Sequence, residues 1–120
     1  MLIMPATIVG DWQYSDTADI VDTTAVEAMA AKTGARHLVT GIQATNTDTA
    51  VGTVIQILSA STVIGQVMVG PYVAAAPGAS YAEASYFKPL KGGSGEAINI
   101  KCVTTSAQVR CSLQGVTVVA

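Results

Sequence analysis

The stretch Ala97–Val118, AINIKCVTTSAQVRCSLQGVTV, decides the fold class. Apolar residues alternate with polar ones on both sides of a short polar break, which is typical of two half-buried β-strands joined as a hairpin. If the turn centres between Ser106 and Ala107, Cys102 faces Cys111, and one register puts every apolar residue on the same face. A slip of one residue would turn one strand's apolar set to the other face, so the pattern itself selects this register. We therefore expect this hairpin to line a core that the rest of the chain covers with a second layer.

The two cysteines of this hairpin are the nearest approach to a chemical constellation. Directly opposed residues of an antiparallel pair have Cα atoms about 4.5–5.5 Å apart, within reach of a disulfide. In a cytoplasmic protein the usual alternative is two buried thiols that act as small apolar fillers. The sequence therefore predicts a disulfide or a buried thiol pair at Cys102 and Cys111 and leaves the choice open.

Further strands follow from the same alternation. Residues 38–44, 51–58 and 62–69 alternate, and residues 81–87 are strand-like up to a closing Pro89. Turn residues separate these runs at short intervals, as in an antiparallel sandwich or barrel. We predict an all-β fold, with residues 16–120 as a single β-sandwich domain.

The N-terminal stretch MLIMPATIVG is apolar, punctuated by Pro5 and too short to fold alone. We expect residues 1–15 to form an extended arm that packs on its own domain or reaches a neighbour. The arm residues predicted to contact a partner are Leu2, Ile3 and Met4.

Residues 19–30 allow two interpretations. Thr24 could cap a helix with Glu27 as its capping-box partner, and the run is rich in alanine. A weak period-two alternation of the same residues fits a strand instead. The local pattern slightly favours the helix.

The charge content limits the possible functions. Charged residues make up 12% of the chain, against about 25% in a typical soluble domain. Either the protein is merely low in charge, or neighbouring subunits cover much of its surface, which is the interpretation we prefer. The net charge of −2 argues against nucleic acid as a partner. No apolar run is long enough to span a membrane, and no secretory signal is recognisable, so we expect synthesis in the cytoplasm.

The sequence contains no catalytic set. His37 is the only histidine, no serine lies in a GxSxG motif, and the Gly-rich KGGSGE lacks the ending of a P-loop. We predict that the protein is not an enzyme, binds no cofactor or metal, and uses His37 structurally or at its surface. The acidic residues between Asp16 and Glu27 lack a calcium-loop pattern. They could instead contact the basic stretch Lys88–Lys101 of a neighbouring subunit.

Several motifs resemble a small all-β domain found in virion proteins of tailed bacteriophages. The resemblance extends from Thr23 to the C-terminal region and involves core and turn residues, not a functional motif. The matching stretches are Thr23–Val26, Gly34–Gln43, Pro89-Leu90, Cys102–Thr105 and Gln114-Gly115.

The resemblance implies a jelly-roll β-sandwich and a strand, not a helix, over residues 19–30. Such domains occur as capsid decoration (cement) proteins, often trimeric, and as modules of fibres and tails. A single domain with an apolar arm and no stalk favours a decoration protein on the capsid surface, with the major capsid protein and its own copies (a homotrimer) as partners. The alternative is a receptor- or glycan-binding module of a fibre or tail, with Tyr72 and Tyr81 at the loop Gly70–Ser80 as its contacts.

Overall fold

The computed structural model describes residues 8–15 and 23–120, which form eight β-strands and one short 3-10 helix at Pro77–Ser80. Most of these strands are rich in Val, Ile and Thr and alternate in burial, as expected of half-buried strands. The strands predicted over residues 38–44, 51–58, 62–69 and 81–87 are all present. The strand bounds are β1 Ile8–Ser15, β2 Val26–Met29, β3 Ala35–Asn46, β4 Thr53–Ser59, β5 Thr62–Val69, β6 Tyr81–Lys91, β7 Ile98–Cys102 and β8 Val109–Val119.

The strands form two four-stranded antiparallel sheets that pack face to face. Sheet A has the order β1-β8-β3-β6, and sheet B has the order β2-β7-β4-β5. Only β4 and β5 are neighbours both in sequence and in a sheet, so every other connection crosses between the layers. This is the arrangement of an eight-stranded jelly roll, and the predicted all-β sandwich is confirmed.

The predicted hairpin of residues 97–118 is wrong. Strand β7 pairs with β2 and β4, whereas β8 pairs with β1 and β3. The connecting chain changes sheets: the Val103 amide still donates to Val54 O of β4, and the Gln108 carbonyl already accepts from the Thr47 amide beside β3. The alternation correctly indicated which faces are buried, but β7 and β8 bury them from opposite sides of the core.

The core lies between the sheets and is mainly aliphatic. Its side chains come from the inward face of each central strand. The largest fully buried apolar side chains are Val39, Ile55, Ile57, Val69, Ile98, Ile100, Val109 and Leu113.

Residues 26–29 form a strand, as the resemblance implied and the local helix pattern did not. Val26 pairs with Ile100 of β7, and Val26, Ala28 and Met29 pack against the core. Tertiary packing on β7 therefore overrides the helical propensity of the alanine-rich run. Residues 19–22 lie outside the described residues.

The boundary predicted at residue 15 also differs from the structure. Ile8–Ser15 is strand β1, an edge strand of sheet A that pairs with β8 along its length. Trp12 and Tyr14, which lie two residues apart on this strand, pack against the core. Residues 1–7 of the predicted arm lie outside the described residues, so an arm there stays a prediction.

Candidate functional site

Exposed apolar side chains concentrate on one edge of the sandwich. Six of the ten large apolar side chains exposed among the described residues lie on β5, on β6 or on the loop between these edge strands. We call them the β5–β6 surface: Val63, Met68, Tyr72, Val73, Tyr81 and Phe87. Strand β5 carries no charged residue, so little on this strand opposes contact with another apolar surface, whereas β6 carries Glu83, Lys88 and Lys91.

Phe87 is the most exposed member of this surface, with a relative exposure of 105%. It lies on a bulge of β6: Leu90 pairs with Val39 and Ser85 pairs with Gly41, so four residues of β6 stand opposite the single residue Thr40. The bulge carries Pro89 within the strand, so the prediction that Pro89 ends β6 is wrong. An edge strand tolerates proline because one side of it needs no ladder hydrogen bonds, and the bulge pushes the Phe87 ring into solvent.

A second apolar area lies at the opposite edge of sheet A. Ile8, Val9 and Val119 are exposed where β1 and β8 pair near the chain termini. We call this area the β1–β8 end. Because β1 and β6 are the two edges of sheet A, the two apolar areas lie on opposite edges of the molecule.

The outer face of sheet A carries a band of amide and hydroxyl side chains. The strand registers align two rows across all four strands. One row is Gln13, Gln114, Gly41 and Ser85, and the other is Ser15, Ser112, Gln43 and Glu83. We call these two rows the polar band. At its centre, where Gly41 has no side chain, lies a depression of about 100 Å³.

The predicted contact residues have different outcomes. Leu2, Ile3 and Met4 lie outside the described residues, so their role stays a prediction. Tyr72 and Tyr81 are both exposed, at 42% and 46%. The Tyr81 hydroxyl donates to Glu83 Oε2 at 2.7 Å, and this hydrogen bond raises the pKa of Tyr81 above its usual value.

Cys102 and Cys111 are both buried in the core. They are not opposed residues of one hairpin, since β7 and β8 belong to different sheets. The choice between a thiol pair and a disulfide stays a prediction.

The His37 side chain is buried and has a structural role. Its Nε2–H donates to the Ala30 carbonyl at 2.7 Å, and its Nδ1 accepts from the Thr117 hydroxyl at 2.7 Å. The Trp12 ring meets the imidazole edge-on at a centroid distance of 6.1 Å. His37 therefore ties β3, β8 and the segment after β2 together and is not available to a ligand.

Asn46 forms a second buried junction, between three loops. Its amide nitrogen donates to Val51 O at 2.8 Å and to Gly70 O at 3.0 Å. Its amide oxygen accepts from the backbone N–H groups of Asp48 and Gln108. All the main hydrogen-bonding positions of this fully buried side chain are filled.

Charged residues form no site in the part of the chain that is described. No three His, Cys, Asp or Glu side chains there group as metal ligands, and no helix there is long and apolar enough to cross a membrane. Glu27, Lys88 and Lys91 are exposed, but residues 16–22 lie outside the described ranges. The predicted charged subunit contact therefore stays a prediction.

Sequence reasoning missed Phe87 and the polar band. A signal existed for both, because Tyr81, Glu83, Ser85 and Phe87 share one face by period-two spacing. That face is polar at its centre and aromatic at both ends. The pairing that aligns Gln13, Gln43 and Gln114 could not be foreseen without the jelly-roll strand order.

Comparison with known proteins yields structural likenesses only. No family model matches the chain, and no curated protein matches it. The chain is similar to the Cyanophage Pam1 capsid asymmetric unit, with 18% identity, a TM-score of 0.41 and coverage of 97% of this chain and 92% of that chain. It is similar to the Tobacco streak virus coat protein, with 8% identity, a TM-score of 0.38 and coverage of 100% and 91%. For the extra small virus of the giant freshwater prawn Macrobrachium rosenbergii the values are 11%, 0.30, 98% and 85%. These scores are too low to carry an argument about function, so the proposals below rest on the chain itself.

Proposed function

We propose that this chain is a non-enzymatic virion structural protein, and specifically a capsid decoration (cement) protein on the outside of the head. The observation that carries the proposal is the fully exposed Phe87 on the edge strand β6, beside the uncharged edge strand β5. Burying a side chain of this size is favourable by about 1.5–3 kcal/mol relative to leaving it in water. Exposed aromatic anchors of this kind are typical of protein contact surfaces. The motifs that resemble phage virion domains suggest that the partner covering Phe87 is another virion protein.

The two apolar areas support a homo-oligomer as the working form. Contacts between two different surfaces on opposite edges are heterologous, and they close into rings when the rotation allows it. The β5–β6 surface of one copy would pack on the β1–β8 end of the next. Three copies are the smallest ring of this type, which agrees with the homotrimer expected from the resemblance.

Contact with the major capsid protein would use the remaining apolar segment. Residues 1–7 precede β1, and Leu2, Ile3 and Met4 provide apolar side chains for a seam between capsid subunits. The proposed location is therefore the capsid surface after synthesis in the host cytoplasm. Stabilisation would come from apolar burial repeated over many identical positions of the particle.

The test compares variants for occupancy on particles that lack the protein. Phe87→Ser should keep its thermal midpoint, because the ring makes little contact with its own domain, and should lose at least about tenfold in occupancy. Gln43→Ala, at an exposed position in the middle of sheet A and outside both apolar areas, is the control and should bind normally. Deleting residues 1–7 spares β1 and should also release the protein. Full occupancy of both altered proteins would contradict the proposal.

The alternative is a receptor- or glycan-binding module of a fibre or tail. The loop GPYVAAAPGAS exposes the Tyr72 ring but supplies no charged or amide side chain. Sugar recognition needs such hydrogen-bonding groups. A glycan site at this loop is therefore the weaker candidate, and electron microscopy that places the protein at a tail tip would favour it.

A further inference from the structure

We propose that the outer face of sheet A binds a neutral oligosaccharide along the polar band. The band spans four strands, which at a spacing of about 4.8 Å gives a width of about 14 Å. Its two rows repeat along the strands every second residue, about 7 Å apart. This area is suited to a ligand of two or three sugar rings.

The three glutamine amides of the band are available to a ligand. Gln13, Gln43 and Gln114 are exposed, and their side chains make no hydrogen bond within the described residues. Each amide offers two donor hydrogens and an acceptor oxygen. Adjacent sugar hydroxyls need this mixture of donors and acceptors on one surface.

The band is also recessed. A depression of about 100 Å³ at Gly41 and a more open hollow of about 500 Å³ are both lined by Gln13 and Gln114. A Cβ at Gly41 would lie 3.3 Å from Ala84 O and 3.7 Å from Gln114 Oε1. The glycine therefore allows the backbone of β6 and the Gln114 amide to approach closely at the centre of the band.

Glu83 completes the band and restricts the ligand class. The Tyr81 hydroxyl holds one carboxylate oxygen at 2.7 Å, which orients the other as an acceptor for sugar hydroxyls. The two rows contain no cationic side chain, and the second hollow adds the carboxylate of Asp11. The Glu83 carboxylate disfavours an anionic sugar in the two rows themselves, while the flanking rows carry the cations Arg110, opposite Thr45, and Lys91, opposite Leu38.

The site adjoins the β5–β6 surface at Tyr81, whose hydroxyl donates to Glu83 of the band, but it uses different side chains. The ring contact uses the β5–β6 surface and the β1–β8 end, and the capsid contact uses residues 1–7. The polar band lies on the sheet face between the two edges. A decoration protein with this groove would also hold neutral glycans, a binding activity that cementing a capsid does not require.

The probes are maltotriose, cellotriose and triacetylchitotriose, titrated separately to millimolar concentration into the isotope-labelled full chain. Side-chain NH₂ resonances of Gln13, Gln43 and Gln114 report the site, and the Gln66 amide on the outer face of sheet B reports non-specific effects. We expect saturable shifts of the first three amides, and of Gly41, with at least one probe. A heparin-derived tetrasaccharide should give none. Failure of all three neutral probes, or equal shifts at Gln66, would overturn the proposal.

Two variants test the site without touching the core. The double variant Gln43→Ala/Gln114→Ala should lower affinity for the responding probe by at least about tenfold, because two hydrogen-bonding amides are removed. Gly41→Ala fills the depression, keeps every amide and should also weaken binding. Gln66→Ala should bind as the unaltered chain does. Unchanged affinity in the double variant would show that the band is only a solvated sheet face. These measurements use isolated protein, so their failure leaves the particle test of Phe87 unaffected.

Discussion

Replacing Asn46 by alanine should destabilise the sandwich more than any other single polar-to-alanine change among the described residues. The Asn46 amide makes four hydrogen bonds to the backbone of three different loops, at 2.8–3.3 Å. It is fully buried, so water cannot readily replace it. The truncation removes every one of these bonds at once and leaves a small cavity.

The magnitude follows from the partners that are left behind. A typical hydrogen bond contributes about 1 kcal/mol net, and a buried group left without a partner costs about 1–3 kcal/mol. Some relaxation of the loops is expected, so we predict a loss of about 3–4 kcal/mol for Asn46→Ala. Total stabilities of domains are about 5–15 kcal/mol, so the variant should fold but with a much lower urea midpoint.

Urea unfolding followed by Trp12 fluorescence and circular dichroism is the assay, with all proteins at one concentration because assembly also stabilises. Asn99→Ala is the matched control: Asn99 makes one hydrogen bond, to Ala60 O at 3.0 Å, at an exposed site. It should lose at most about 1 kcal/mol. Equal losses of unfolding free energy in the two variants, or a loss below about 1 kcal/mol for Asn46→Ala, would contradict the view that Asn46 holds the three loops together.

Three other expectations follow from single contacts. Gly115→Ala should cost about 3 kcal/mol in urea unfolding because its methyl group would overlap a backbone oxygen and the indole of β1. In Gly10→Ala the added methyl group meets open space, so the free energy of unfolding should change little. Equal losses in the Gly115 and Gly10 variants would contradict this expectation. The two core cysteines should resist a thiol reagent in the native protein and both react in unfolded, unreduced protein; two unreactive positions there would mean a disulfide. Glu83→Gln should lower the pKa of Tyr81 towards its usual value by removing the carboxylate acceptor, and an unmoved ring titration by NMR would contradict this.

The sequence predicts where the strands of this fold lie in the chain better than it predicts which strands pair with each other. Alternation around Ile100 and Leu113 shows that both residues face a core, and both are fully buried. Alternation has the same form whether the next strand lies beside the first or opposite it, so it cannot separate a hairpin from a sheet crossing. The crossing depends on long-range hydrogen bonds, such as that from Gln108 N to Asn46 Oδ1.

Local propensity also misleads where tertiary packing decides. The alanine-rich run around Val26 favours a helix by composition, but β7 pairs with it as a strand. The edge proline Pro89 reads as a strand end, but a bulge accommodates it and exposes Phe87. Both departures lie on edge strands, where a sheet tolerates irregularity and where subunit contacts form.

The central proposal is that exposed apolar edges of this sandwich attach it to the outside of a capsid. The most direct test is electron microscopy of particles made with the unaltered chain, with Phe87→Ser, and without the protein. We expect an outer layer of density on the head that is present with the unaltered chain and absent or sparse in the other two. An unchanged layer with Phe87→Ser, or density confined to a tail tip, would contradict it.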